Sequence, residues 1–446
     1  MSSNIQEEKP KKKIFVLTIA LLLLFCFSAV VVCGGKEKSK EKPAEEKKVE
    51  KPAEIETITV LMGINAAGKY MGERAAEFEN QTGIRVNLIE VEWDAMVNKQ
   101  AVALSVREPT YDIVDCGSFM LAEYVPSGLY DDVTDLFPPD VKAKYMDGIV
   151  EAVTIDGKVY AAPLMASWVI MFYNTQMFEE AGLDPNIPPK TWLELARYGK
   201  FIQPETTYAF ADSLAPGEYI TVAFFRWAKS AGAQIHEWKG NRIHWLLDSP
   251  ECIDAAYFMR RMIEEGTMDP ASPTYYQQQL ADLFGKGHCA MFVNWDMMQF
   301  AFKDTEQSPY AGKIKTAPVP GIREGLSGSI EGHEFMAIPT PSMHKQAARR
   351  FIKFITSVEN VRRRAIEQGM TPVYKELFKD PEVKKVIDLD TVFQAAANCY
   401  YRPSIPEYTE ISDIISTELQ NILVNNKDPK TALQEANAKA NALVGW

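Results

Sequence analysis

Three short segments carry side chains suited to chemistry: Gly63-Ile64-Asn65, Trp93-Asp94 and Asp115-Cys116-Gly117-Ser118. A fourth, Asn294-Trp295-Asp296, sets an indole between two polar residues after the apolar run "CAMFV", a poor composition for a core. Asp115, Asp296 and Glu331 are the carboxylates from which an acid/base pair for glycoside hydrolysis would be drawn, and that reaction needs its two carboxyls at a set separation. Metal chemistry has little support. The histidines, at 236, 244, 288, 333 and 344, form no HxxxH or HExxH pattern, and Cys116, Cys252, Cys289 and Cys399 have no CxxC spacing. Buried free thiols or one disulfide are the readings those four cysteines leave, and no cofactor is expected.

The elements that position these residues alternate. "ITVLMG" is a strand by its β-branched content, ended by Gly63. Tyr70 to Asn80 reads as a helix closed near Gly83. "IRVNLIEVEW" is a second strand, Asp94 to Val106 a second helix, and "YDIVDCGS" a third strand ending in small residues. Strand–helix alternation at this spacing predicts an α/β architecture with a mostly parallel sheet and helices on both faces. Ligands of such sheets sit beyond the carboxyl ends of the strands, where the first three segments lie.

The chain has 446 residues, enough for two or three domain-sized units, and a formal charge of -12. That balance argues against nucleic acid as a partner, because a phosphate backbone needs a basic face. The basic clusters Arg349-Arg350 and Arg362-Arg363-Arg364 read as solvated helix faces. Lys11-Lys12-Lys13 precede the apolar run "IFVLTIALLLLFCFSAVVV", which ends at Cys33-Gly34-Gly35. A basic flank before an apolar stretch reads as an export signal, long enough to span a bilayer if retained. Residues 1–33 are therefore expected to be a signal or anchor segment. Residues 34–56, rich in Lys, Glu and Pro, are expected to be a disordered tether with almost nothing to bury.

Further along, "DGKVYAAP", "FYNTQMFEEAGL" and "PPKTWLEL" follow one another, the last with Thr191 placed to cap a helix and Glu194 three residues on. In order and spacing these segments resemble the maltose-binding-like, carbohydrate-type extracellular solute-binding proteins of ABC importers. "SPECIDAAYFMRRMIEEGTMDP", "LADLFGKGHCAMFVNWDMMQF", "GIREGLSGSIEGHEFMAIPTPSMHKQAARRFIKFITS" and "EQGMTPVYKELFKDPEV" continue the resemblance in order toward the C-terminus. It implies a two-lobed, periplasmic-binding-protein-like fold, each lobe a central mostly parallel sheet flanked by helices, joined by a hinge crossed several times. Residues 57–162 with 337–370 would form the first lobe and 163–336 with 371–446 the second. Cys33 resembles the lipidated cysteine of bacterial lipoproteins, although Val32 stands where that pattern carries Gly, Ala or Ser. Either the lipid or an uncleaved signal helix would hold the protein in the cell envelope, at the outer face of the cytoplasmic membrane or in the periplasm.

The resemblance also implies where a solute sits. Aromatic faces cover the C–H surfaces of a sugar and planar polar groups bind its hydroxyls. The residues expected around the inter-lobe cleft are Asn65, Trp93, Asp94, Asp115, Ser118, Trp168, Asn294, Trp295, Asp296, Ser329, Glu331, Tyr401 and Arg402. Trp192 is expected in the core, and the methionines from Met291 to Met298 likewise. The implied function is capture of a mono- or oligosaccharide by hinge closure and delivery to ABC permease subunits, by a monomer without enzymatic activity. The alternatives are the same fold with another solute (glycerol phosphate, a polyol or a peptide) and a secreted carbohydrate-active enzyme.

Overall fold

The computed structural model describes residues 55–202, 207–303 and 308–446. The expected signal segment, Cys33 and the tether up to residue 54 lie outside the described residues. Strand β1 (Thr57–Gly63), helix α1 (Ala66–Thr82), strand β2 (Arg85–Val91), helix α2 (Trp93–Ser105) and strand β3 (Ile113–Cys116) follow in the expected alternation. The start of α1 is fixed by its cap: Asn65 Oδ1 accepts from the amides of Ala67 and Gly68 at 2.8 and 3.2 Å. Its end is fixed by Gly83, whose φ of 74° is a left-handed conformation that costs glycine little.

Strand β4 (Ala161–Met165) completes the first sheet and β5 (Val169–Asn174) starts a second. Helix α3 (Trp192–Ile202), strand β6 (Tyr208–Ala211), helices α4 (Glu218–Ala231), α5 (Pro250–Glu264) and α6 (Gln277–Gly285), and strands β7 (Cys289–Trp295) and β8 (Ile314–Ala317) follow. Strand β9 (Glu334–Ala337) re-enters the first sheet ahead of α7 (Lys345–Ile355) and α8 (Val358–Gln368), and the chain ends with α9 (Tyr408–Leu423) and α10 (Pro429–Leu443). The first sheet has the order β2-β1-β3-β9-β4 and the second β8-β5-β7-β6.

The fold class is α/β with two sheets, but the sheets are mixed, which corrects the expectation of mostly parallel pairing. β1 runs parallel to β2 and β3, whereas β9 runs antiparallel to both β3 and β4. In the second sheet β5 opposes β7 and β8, and β7–β6 is the parallel pair. Apolar patterning marks strands without marking direction. β9 is a return from the second sheet, not the far end of a strand–helix–strand unit, so nothing makes it parallel to its neighbours. Pro163 is accommodated because β4 is an edge strand with a register shift opposite it.

β4, β5 and β9 are buried along their whole length, as continuous apolar runs between helical layers should be. Thr191 Oγ1 caps α3 by accepting from the Glu194 amide at 3.1 Å. The Glu194 carboxylate reaches back to the Lys190 amide at 2.8 Å, one residue ahead of the cap. Trp192 is core: it stacks on Trp227 with centroids 3.8 Å apart and donates from Nε1 to Ser230 Oγ. Cys116, Cys252 and Cys289 are buried free thiols and Cys399 is a half-buried one.

Between the sheets three chain segments lie side by side. Ala166–Trp168 follow β4, and Glu331–His333 precede β9. Gly332 N–H donates to the Ser167 carbonyl at 3.0 Å and the Ser167 amide to His333 Nδ1 at 3.1 Å. The third segment joins when the Ala166 amide donates to the Thr371 carbonyl at 3.3 Å. Asp296, just past β7, ties these together: Ser167 Oγ at 2.7 Å, the Trp168 amide at 3.3 Å and Thr371 Oγ1 all donate to its carboxylate. Burial pushes the Asp296 carboxyl up to about 6, while those donors hold it down.

Candidate functional site

A cleft of about 850 Å³, counted out to its open mouth, lies at the carboxyl ends of β1 and β2 and faces α4, α6 and the end of β7. Asn65, Glu92, Trp93 and Glu334 line it from the first-sheet side. From the other side come Glu218, Tyr219, Gln277, Gln278, Trp295 and Arg402, with Met297 and Met298 below them. Gly332 and His333 close the back, where the chain passes between the sheets.

Each wall follows from local structure. Asn65 does two jobs: its Oδ1 caps α1 and its Nδ2 donates to Glu334 Oε1 at 2.8 Å. Trp93 opens α2, and Trp295 ends β7, where its Nε1 donates to Gln277 Oε1 at 2.8 Å and so joins the first turn of α6. The Gly332 backbone lies against the Trp295 ring: a Cβ there would sit 2.5 Å from ring carbon Cζ3, so only glycine fits. His333 accepts at Nδ1 from a backbone amide, which leaves the proton on Nε2. Burial pushes its pKa down to about 4, so at neutral pH it is an uncharged donor.

Charge is handled differently on the two sides. Arg402, 9% exposed, grips Glu331 through Nε and NH2 at 3.2 and 2.8 Å and reaches Glu218 through NH1 at 3.0 Å. Glu218 also accepts from Tyr408 at 2.7 Å and from Ser412. Across the cleft Asp115 is fully buried; its Oδ2 accepts from the Gly63 amide at 3.3 Å and its Oδ1 has no partner. Glu334 Oε2 also has no partner. Burial raises both carboxyls, Asp115 to about 7, and the Asp115 charge raises Glu334 further.

Of the expected residues, Asn65, Trp93, Trp295 and Arg402 line this cleft, and Asp115 and Glu331 lie directly behind its walls. Asn294 donates to the Gln277 carbonyl and holds α6 in place. Asp296, Trp168 and Ser329 sit in the crossing segments: Trp168 is 2% exposed and edges onto the His333 ring, and Ser329 Oγ donates to the Val169 carbonyl. Asp94 faces an adjoining recess with Gly217, Ser412 and Asp413, where burial and then the nearby Glu218 push its carboxyl up to about 6. Ser118 lies off the cleft with its carbonyl accepting from Ser404, and Tyr401 is 56% exposed. Sequence reasoning missed Glu92, Glu218, Tyr219, Gln277, Gln278 and Glu334, while Met297 lies in the core and Met298 packs against it, as expected, and both also border the cleft. The polar run Gln277–Gln279 ahead of an apolar helix was the one local signal, whereas Glu218 and Tyr219 look like any first turn of a buried helix.

Two sheets, crossing segments between them and a cleft at their junction define a two-lobed α/β binding protein. A family model described as bacterial extracellular solute-binding protein matches residues 64–362, and the chain belongs to that family. A Brucella abortus relative named only as a binding protein is 26% identical over 379 residues, 84% of this chain and 90% of the relative. The maltose-bound MalE3 of T. maritima superposes with a TM-score of 0.80 at 24% identity, over 87% of this chain and 99% of that one. A solute-binding protein of Agrobacterium radiobacter K84 in complex with ribitol gives 0.79 at 24% identity, over 88% and 100%. The protein is thus an extracellular solute-binding component of the cell envelope, with the fold of those structures.

Proposed function

We propose that this protein captures a sugar or sugar-like polyol by closing its two lobes on it, and hands the solute to the permease subunits of an ABC transporter. The observation that carries the reading is the lining itself. Three aromatic side chains, Trp93, Tyr219 and Trp295, share one cleft with the planar or hydrogen-bonding groups of Asn65, Gln277, Gln278 and His333. That mixture suits a ring with apolar faces and hydroxyl edges. The relatives in fold that hold maltose and ribitol support it. A phosphorylated solute is a poor match, because Arg402 is the one cationic side chain among the lining residues and is committed to Glu331 and Glu218.

The protein is not an enzyme in this reading. Of the carboxylates a hydrolase would draw on, Asp296 holds the crossing segments and Glu331 is locked in the Arg402 network. We take the first lobe as residues 57–165 with 334–387 and the second as 166–333 with 388–446. β4 stays in the first sheet to Met165 and β9 enters it at Glu334. Tyr374 still pairs with Tyr145, and after the Val386 carbonyl, which accepts from Lys303, Asp388 anchors the chain to the second lobe through Thr316 and Gln299. A monomer held at the membrane through Cys33 or an uncleaved signal helix completes the proposal.

The test is a thermal-shift screen of the full chain with mono- and oligosaccharides, polyols, glycerol phosphates and peptides. A solute that binds the native state alone raises Tm, by more as its concentration exceeds Kd. Unchanged solute with a raised Tm supports a receptor. A shift from a phosphate or peptide and from no sugar or polyol would keep the fold and replace the function.

A further inference from the structure

The first-lobe wall of the cleft carries a buried carboxyl that no described cation pairs with. Glu334 lines the cleft at 6% exposure, with Oε1 satisfied by Asn65 and Oε2 without a partner. Asp115 is 0% exposed and has its own orphan oxygen, Oδ1. Both belong to one cluster around Gly63. A Cβ on that glycine would lie 3.4 Å from the Trp93 ring, 3.7 Å from Asp115 Oδ2 and 4.0 Å from Asn65 Nδ2. An unpartnered buried carboxylate oxygen is costly, so Glu334 in the cleft wall, with Asp115 behind it, marks the place of an absent donor.

The neighbouring cations do not fill that place. Arg364 is buried, bonds the Leu164 carbonyl and holds the Glu334 carboxyl down through its charge, but forms no ion pair with any described carboxylate. Arg402 is held on the opposite wall by Glu331 and Glu218. Glu92 and Glu218 add negative charge along the lining. The lining thus sets the carboxyls of Glu92, Glu218 and Glu334 against one committed guanidinium, and the Trp93 face suits an ammonium and the C–H groups next to it.

We propose that the solute is an aminated sugar or amino-polyol whose protonated amine sits against Glu334 and the Trp93 ring, with Asp115 behind them. This rests on the sugar reading above and narrows it. A hydroxyl brings one donor and no charge, whereas an ammonium brings three donors and a charge that lets the buried Glu334 carboxyl give up the proton that burial makes it hold.

The experiment is calorimetric titration of the full chain at pH 7 with matched sets. Each set comprises glucosamine, glucose and N-acetylglucosamine, then the galactose and mannose equivalents, then the β-1,4-linked disaccharides of glucosamine, glucose and N-acetylglucosamine. In at least one set the free amine should bind about tenfold or more tighter than both the hydroxyl and the acetylated partner, the scale of a charge-assisted hydrogen bond. Glu334→Gln should shrink that ratio to about threefold or less. The acetylated partner tests the charge without any substitution. Hydroxyl members that match or exceed their amines in every set overturn this inference and leave the sugar reading intact. No binding by any member of any set overturns this inference, and the sugar reading then stands or falls on the wider thermal-shift screen.

Discussion

On the second-lobe wall of the cleft, Glu331 and Glu218 meet the Arg402 guanidinium at 2.8 and 3.0 Å, and Tyr408 and Ser412 complete the network. At the first-lobe wall, Glu334 and Asp115 behind it form no ion pair with any described cation, and each keeps an oxygen without a partner. Both walls are buried and both are acidic. The difference lies in who satisfies them. A saturated network holds elements together: Arg402 links the loop ahead of α9 to the first turn of α4 and to the crossing segment at Glu331. The unsaturated pair is left for something that arrives from outside.

The largest effect should come from breaking the saturated wall. Arg402→Met leaves Glu331 and Glu218 buried without a cation, a loss of about 3–5 kcal/mol for a buried pair stripped of one partner. Thermal or urea unfolding of the variant reads it, as a fall in Tm of many degrees. A variant that kept its Tm and lost only solute affinity would reverse the comparison, making Arg402 a ligand group and not a brace.

Next comes the crossing point. The Asp296 carboxyl, raised from 3.8 to about 6, is protonated in the folded chain at pH values where it is already ionised in the unfolded one. Folding therefore binds a proton in that window, and stability contributed by this group is lost as pH rises from about 4 through about 6. The span corresponds to about 3 kcal/mol. His333 works in the opposite sense, since its lowered pKa removes stability as pH falls below its ordinary 6.5 toward 4. The difference in unfolding free energy between the wild type and Asp296→Asn isolates the first group. It should grow in favour of the wild type by about 3 kcal/mol as pH falls from 7 to 4. A difference that stays constant across that range would show that Asp296 titrates like a solvated carboxyl.

Trp295→Ala sharpens the comparison from the ligand side. The indole is half-buried, lies against Gly332 and is oriented by Gln277. Its removal should weaken binding of the solute found in the screen by about 2 kcal/mol or more, roughly thirtyfold in Kd, the cost typical of a central aromatic anchor. A loss under threefold would move the stacking role to Trp93 or Tyr219.

Much of this frame was legible in the sequence, and the reasons are local. β-branched and apolar runs located β1 to β3, and Gly83 announced the end of α1 because capping depends on near neighbours, whereas the helix starts at Ala66, ahead of the expected Tyr70. Trp295 stood out because polar residues flank it at a strand end. What was not legible depends on distant pairing. Glu334 lies at the entry to β9, and neither the Asn65 bond across 269 positions nor the missing partner of Oε2 leaves a mark in the neighbouring residues. Asp296 and Trp168 were chosen by residue type for the cleft, yet three crossing segments claim them first. Strand direction was equally hidden, since a return strand has the same apolar alternation as a forward one.

The smallest effect tests how narrow the cleft is. Tyr401 stands beside Arg402 in the chain, but its side chain is 56% exposed and absent from the lining, whereas its neighbour is 9% exposed and central to the network. One step along an extended segment turns a side chain to the opposite face, so adjacency to Arg402 places Tyr401 away from the solute. Tyr401→Ala should change Kd by less than about twofold and stability by less than about 0.5 kcal/mol, the range of surface substitutions. Isothermal titration and a melting curve check both. A tenfold loss of affinity with an unchanged Tm would mean that lobe closure brings Tyr401 over the mouth, extending the ligand-binding surface beyond the two walls compared here.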